Sequence, residues 1–418
     1  MLERRRALPF ADKLRKEFSF IKGNYTILVT SWILMDFAVE LPGTYYSLYV
    51  LELGATETIL GMIGFSSFLV LASVQFPGGY LADKFGRRWL ISSMTFGVAL
   101  CYIFYAIAPS WHFILIGTVL MSLCLIYQPA LMAMVADSVP SERRGMGFGI
   151  IMLITSASTT PGPFVAGMLY NQFGLVQGMR IGYGVVVALF LTAAFLRLRL
   201  QETMVNTRKP GLNELLHTYP TALKECFGVW KKLPRSMFYL FLSGVVNTFG
   251  FAAVMLYFVV YAVEELSIDT AMWPLVLTAL FVTMIALAVP MGKAVDKFNR
   301  KIPILVAYIL LAVSMWLFVN GDLLRLFISL VLVGVAQVMI NSAFGALQAD
   351  LTPKEQRGKV NGFTNFANNI LMATGNLTGG ILYEHVSPQL PFFLAIILII
   401  PSIVLTLTMV HEPEKREE

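Results

Sequence analysis

Charge is what this 418-residue sequence has least of: Asp, Glu, Lys and Arg make up 13% of it, against roughly a quarter of a soluble domain. So little charge does not keep a chain that is 57% hydrophobic in water, and a membrane protein is indicated. Cysteine is nearly absent. Cys101, Cys124 and Cys226 are scattered, two in apolar runs and one in a basic stretch, which excludes a disulfide framework. His112, His217, His385 and His411 are too dispersed for a metal cluster. There is no P-loop, dinucleotide fingerprint or nucleophile–base arrangement. Neither an enzyme nor an ATP-driven pump is expected, and no cofactor or metal; energy, if used, comes from an ion gradient. No cleavable signal peptide is expected, because Arg4-Arg5-Arg6 leads into further charge rather than an apolar core.

Long apolar runs are what the sequence does have. A spanning helix needs about 20 apolar residues. Runs of that kind are predicted near 26–50, 58–80, 89–108, 111–138, 145–170 and 180–200, then near 236–263, 271–292, 302–320, 323–350, 358–383 and 389–410. The expected fold class is therefore an all-α membrane protein with twelve transmembrane helices in two six-helix bundles. The division reads as a tail over 1–25, a bundle over 26–200, a linker over 201–235, a second bundle over 236–410 and a tail over 411–418. Of the 31 Lys and Arg residues, 29 fall on one side of this topology, with Arg180 and Arg325 opposite. The positive-inside rule then puts both termini in the cytoplasm of a multi-pass cell-membrane protein. The net charge of +6 suits anionic lipid at that surface, with no nucleic-acid partner. Phe10, Leu14 and Phe18, and later Leu212, Leu216, Tyr219, Leu223 and Phe227, recur at helical spacing among lysines and arginines, as in amphipathic helices on a membrane face.

The two bundles repeat each other. Gly79-Tyr80-Leu81-Ala82-Asp83-Lys84-Phe85-Gly86-Arg87-Arg88 returns 213 residues later as Gly292-Lys293-Ala294-Val295-Asp296-Lys297-Phe298-Asn299-Arg300-Lys301. After each copy come Asp137 with Arg144, and Asp350 with Arg357, in the same register. An offset held without a gap from Pro77/Pro290 to Tyr170/Tyr383 is an internal duplication. The swap of Gly86 for Asn299 keeps a residue tolerant of positive φ.

At these residues the chain resembles the major facilitator superfamily: Gly79 to Arg88 is similar to its loop 2–3 signature, and Gly292 to Lys301 to the weaker second copy. The resemblance implies two six-helix halves in parallel repeat and a cytoplasmic latch. In that latch Asp83 would pack on the start of span 11 near Lys359. Gly79, Gly86, Arg87, Arg88, Asp137 and Arg144, with Asp296, Arg300, Asp350 and Arg357 in the second half, would complete a network that breaks on inward opening. It also implies that spans 1, 4, 7 and 10 line a central cavity. Gly162-Pro163-Phe164-Val165-Ala166-Gly167 resembles part of the antiporter signature, and Gly162, Pro163 and Gly167 are expected to kink span 5 and admit a close neighbour. One departure is Gly117, where many proton-coupled members carry an intramembrane Arg.

Asp36 and Glu40 lie within span 1. Their i,i+4 spacing puts both carboxylates on one helix face, about 6 Å apart along the axis. At membrane depth such groups are costly and mark pathways, and two of them do not readily ionise together, so one is expected to exchange protons. No Lys or Arg sits in spans 1 to 5 away from their ends, so no permanent counter-charge is expected. Trp32, Tyr127, Gln128, Asn247, Asn341, Asn365 and Asn368 are the candidate cavity residues. The reading is a monomeric secondary transporter of a small organic solute, by proton-coupled export of amphiphilic compounds. Its alternatives are proton symport or uniport of a polar metabolite, and a non-transporting sensor on a transporter fold.

Overall fold

The computed structural model of the protein describes residues 20–140, 143–204, 228, 233–297, 299–353 and 356–412. The amphipathic stretches around 10–18 and 212–227 lie outside the described residues, as do the side chains of Asp83, Arg144 and Asp296.

In lipid every backbone N–H and C=O must be bonded within the protein, and a single apolar run of about 20 residues meets this as a helix. The first half contains α1 (Asn24–Gly43), α2 (Tyr46–Glu52), α3 (Glu57–Phe85), α4 (Arg87–Ala106), α5 (Trp111–Cys124), α6 (Gln128–Ser138), α7 (Arg144–Thr159) and α8 (Pro161–Arg197). The second contains α9 (Arg235–Met255), α10 (Phe258–Val260), α11 (Trp273–Lys297), α12 (Lys301–Val319), α13 (Leu323–Asp350), α14 (Arg357–His385) and α15 (Leu390–Met409). Ten stretches of the described residues are long and apolar enough to cross a membrane. One of them, 149–197, doubles back at Gly174, where φ is 73°, a backbone state that glycine adopts without penalty. The 29-residue α14 is long enough but diluted by Asn361, Asn365, Asn368, Asn369 and Asn376. Counting both, the chain makes twelve passes in two halves.

Several passes are broken where continuous helices are predicted. Pass 1 stops at Gly43 and restarts at Tyr46, just after Pro42. Pass 4 tightens to a 3₁₀ turn over Leu125–Tyr127: the Pro129 ring clashes with the carbonyl four residues back, that of Leu125. Pass 5 is interrupted between Thr159 and Pro161, although Thr160 keeps helical angles. There Pro161 and Pro163 withdraw two N–H donors from the ladder.

The halves meet along α3 with α14, and along α11 with α7 and α8. On the face away from the repeated motifs they are bolted together. Tyr45 Oη donates to Thr270 O at 3.0 Å, and Tyr257 Oη reaches Glu57 O and Asn376 O at 3.1 and 3.2 Å. Glu384, ending α14, accepts the Thr58 N–H at the start of α3 at 2.9 Å. Backbones touch here. A Cβ on Gly61 would lie 2.6 Å from Asn376 O, and one on Gly380 2.5 Å from Glu57 O.

The motif face is organised by charge inside each half. Gly86 has φ 91° and joins α3 to α4. Arg87 pairs with Asp137, and Arg300 with Asp350. Glu202 accepts the N–H groups of Arg87 and Arg88 at 3.1 and 3.0 Å, and Glu412 accepts that of Lys301 at 2.7 Å; each caps the positive start of a helix. Arg88 and Arg357 donate to helix-end carbonyls, Leu198 O and Ala349 O. The expected positive φ at Asn299 is not found. Its side chain instead accepts the Lys301 N–H at 3.1 Å, so a polar cap replaces the left-handed turn.

The two ion pairs differ in depth. Asp350 is 11% exposed and Asp137 39%. Removing one member of a buried pair strands the other and costs about 3–5 kcal/mol, whereas an exposed pair contributes about 0–1 kcal/mol; Arg300–Asp350 is enclosed on both sides, while Arg87–Asp137 is open to water through its acid alone and falls between the two. Asp350→Ala should therefore lower the melting temperature in detergent clearly more than Asp137→Ala; equal losses would contradict this.

Candidate functional site

A cavity of about 950 Å³ lies within the first half, walled on one side by α14. Pass 1 contributes Trp32, Met35, Asp36 and Val39, pass 4 contributes Tyr127, Gln128 and Met132, and α4 and α8 add Tyr102 and Phe190. The cavity extends to Gly358 and Asn361 in the first turns of α14, both exposed at the motif face. The bolted contacts close the other end. Apolar and aromatic walls around a few polar groups are what a ligand pocket requires.

Asp36 is the acid of this cavity. Its Oδ2 is buried with no hydrogen-bond partner among the described residues. Glu40, one turn along, is close enough for the two charges to act on each other, yet it faces away from the cavity toward pass 5. A Cβ on Gly162 would come within 2.8 Å of Glu40 Cβ, and one on Gly167 within 3.0 Å of Pro274 in the other half. The small residues around Pro163 thus admit Glu40 on one side and α11 on the other.

The candidate residues do not share one chamber. Trp32, Asp36, Tyr127, Gln128 and Asn365 line the cavity, whereas Asn247, Asn341 and Asn368 line a separate pocket of about 290 Å³ in the second half, with Thr364 and Tyr308. Asn365 and Asn368 sit three residues apart on α14, so that helix divides the two. A hydrogen-bond chain crosses the seam beside it: Asn369 donates to Gln75 at 2.9 Å and Gln75 to Gln128 at 3.4 Å.

Two groups at the site escape the sequence reading. Gln75 is one; its signal is a lone amide inside the second apolar run. Arg197 is the other, and it overturns the expectation that no permanent counter-charge is near. It looks like one more loop cation at the end of pass 6, yet it is 0% exposed, the largest fully buried side chain among the described residues. Its Nε donates to Ser31 Oγ at 3.0 Å and Nη1 to Thr95 Oγ1 at 2.8 Å. The guanidinium lies 5.6 Å from the centroid of the Tyr127 ring, and that ring lines the same cavity as Asp36. Gly117 has no room for a side chain, since a Cβ there would stand 2.8 Å from the Tyr105 ring. Cys101 and Cys124, far apart in sequence, are neighbouring thiols between α4 and α5.

Comparison with known proteins comes down on one architecture. The model of the Major Facilitator Superfamily matches residues 28–273 and 240–418. An uncharacterised MFS-type transporter of Methanocaldococcus jannaschii is 24% identical over 369 residues, 87% of this chain and 92% of its own. Multidrug resistance protein 1 of Bacillus subtilis is 34% identical, but over 143 residues, about a third of either chain (34% and 35%). The quinolone resistance protein NorA of Staphylococcus aureus is 30% identical over 125 residues, 30% of this chain and 32% of its own. Among solved structures, a bacterial homologue of the human lysosomal transporter Spinster superposes with a TM-score of 0.72 at 12% identity, covering 94% of this chain and 98% of that one.

Proposed function

Because the chain belongs to the major facilitator superfamily, we propose that this transporter is a proton-coupled exporter of amphiphilic organic compounds. It works by alternating access in the cell membrane, as a monomer with both termini in the cytoplasm. The Lys and Arg residues crowd the motif face, and that bias favours the inner side for it. The cavity then stands open to the cytoplasm and sealed outward.

One observation carries the reading: a large single-sided cavity whose walls are Trp32, Met35, Tyr102, Met132 and Phe190 around the carboxyl of Asp36. Polarisable methionines and aromatic faces accept greasy ligands of varied shape, and the acid offers a place for a proton or a cationic headgroup. The matched relatives named for multidrug and quinolone resistance lean the same way. Asp36, with Glu40, would carry the proton, and the Gln75–Asn369 contact would part and re-form as the halves rock. Glu40 against Gly162 and Gly167 against Pro274 make pass 5 the closing face opposite the cytoplasm.

The test is counterflow in proteoliposomes with ethidium as the probe. An imposed pH gradient should drive ethidium opposite to the protons, with a proton appearing on the far side for each turnover. Co-directional flux would give a symporter, and flux without protons a uniporter. A second reading rests on the pocket of Asn247, Asn341, Asn368 and Thr364, whose amides and hydroxyl suit a polar, hydroxylated metabolite; transport of such a solute in place of ethidium would favour it.

A further inference from the structure

Arg197 needs an explanation that packing does not give. A guanidinium withdrawn from water is costly unless it is paired, and removing its partner strands it. Here it is wholly buried. Two of its nitrogens bond neutral hydroxyls, those of Ser31 and Thr95, and Nη2 has no hydrogen-bond partner among the described residues. Ser92 fixes its backbone by donating to Arg197 O at 2.8 Å. Neutral partners hold the cation in place without neutralising it.

Ser31, which accepts from Arg197, stands five residues before Asp36 on α1. Asp36 also has a buried oxygen without a partner. Arg197 and Asp36 do not form a direct ion pair. Arg197 does not line the cavity, and Asp36 does; Tyr127 lines it too, with the guanidinium near its ring. The remaining ionisable groups around Asp36, among the described residues, are Glu40 on the same helix and the phenols of Tyr102 and Tyr127. Arg197 is therefore the permanent positive charge of this site, held by passes 1, 3 and 6 together.

We propose that Arg197 is the positioning residue of the coupling site, a fixed counter-charge behind the cavity wall that sets how readily Asp36 gives up its proton, without touching substrate. This rests on the reading of Asp36 as the proton carrier. A charge held apart from the carboxylate has a use that a closed salt bridge lacks: it favours ionisation yet leaves the carboxylate open to the proton or to a cationic headgroup. Release of Asp36 to the cavity then needs no side chain of the pair to swing away.

The test reads the proton directly, without a substrate. In purified full-length protein in nanodiscs, the infrared carbonyl band of a protonated carboxyl that disappears in Asp36→Asn is titrated against pH. In Arg197→Gln the midpoint should move at least one unit toward alkaline, and in Arg197→Lys it should stay within about half a unit of wild type, a tenfold change per unit being about 1.4 kcal/mol. A purely structural arginine would lower stability in both variants and leave the midpoint in place, which would overturn the proposal. If Arg197→Gln is not recovered from the membrane, Arg197→Gln with Asp36→Asn decides. Better recovery and melting of the charge-balanced double variant supports the pair, and a double variant no better than the single one overturns it. A shifted midpoint in a protein that moves ethidium without protons would leave Arg197 as the counter-charge that sets the ionisation of Asp36 and sink only the proton-coupled reading.

Discussion

Asp36→Asn should abolish uphill transport, with ethidium accumulation in proteoliposomes falling by about 100-fold or more, the equivalent of about 2.7 kcal/mol in a rate. The variant keeps the shape of the side chain and removes the group that gains and loses a proton. Equilibrating exchange of ethidium, which needs the cavity but no proton, should survive. The ionised carboxylate favours whichever state of the two halves hydrates it, so a residue that is never ionised uncouples protonation from the change of access. Glu40→Gln is the companion. Glu40 lies against Gly162 and outside the cavity, so its loss should weaken the gradient dependence less than that of Asp36. Full uphill transport by Asp36→Asn, with unchanged pH dependence, would transfer the coupling role to Glu40.

A comparably large effect is expected from a residue that touches no substrate. Gly380→Leu puts a side chain where a Cβ alone would stand 2.5 Å from Glu57 O, 2.7 Å from Tyr257 Oη and 3.0 Å from Thr58 Cα. Two of these neighbours are backbone atoms and cannot retreat without moving a helix. Overpacking of this kind costs about 1–3 kcal/mol. The cost falls on the state in which α3 and α14 are closed at this face, and it lapses once they part. The ratio of the two states should shift about 10- to 100-fold. Spin-label distances across the face away from the motifs should lengthen, and the motif face should close. Gly149→Leu, which meets nothing within 4 Å, is the matched control. Unchanged distances in Gly380→Leu would mean that the seam yields in some other way.

The passes and their duplication were legible because they are written locally: a run of apolar residues commits its own backbone to helix, and a 213-residue register needs only the sequence laid against itself. Asp36 was legible for the same reason, being an acid with no business in a greasy helix. Arg197 was not. By position it belongs with the cations that trail pass 6, and only Ser31 and Thr95, on passes distant in sequence, draw it inside. Glu202 and Glu412 escaped because they stand outside the repeat register, although each caps the corresponding helix start. Asn299 misled in another way. A residue that tolerates positive φ also carries a side-chain acceptor, and the turn uses the second property. The division of the candidate cavity into two came from α14, whose asparagines look to both sides; helical spacing cannot tell which of two neighbours an amide will face.

The asparagines of α14 bear on how the protein is made. Insertion of a helix by the translocon is decided largely by its own apolar content, Leu, Ile, Phe and Val each favouring the bilayer by about 0.3–0.6 kcal/mol, and α14 falls below the other passes in that respect. It is also the penultimate pass to leave the ribosome, by which time α3 is already in the membrane. Its close partner in the other half, reached through Gly61 and Gly380, is therefore waiting when it arrives. A helix less apolar than its neighbours is expected to enter against protein rather than against lipid alone, so the seam that joins the two halves would also serve as the place where the second half is received during synthesis.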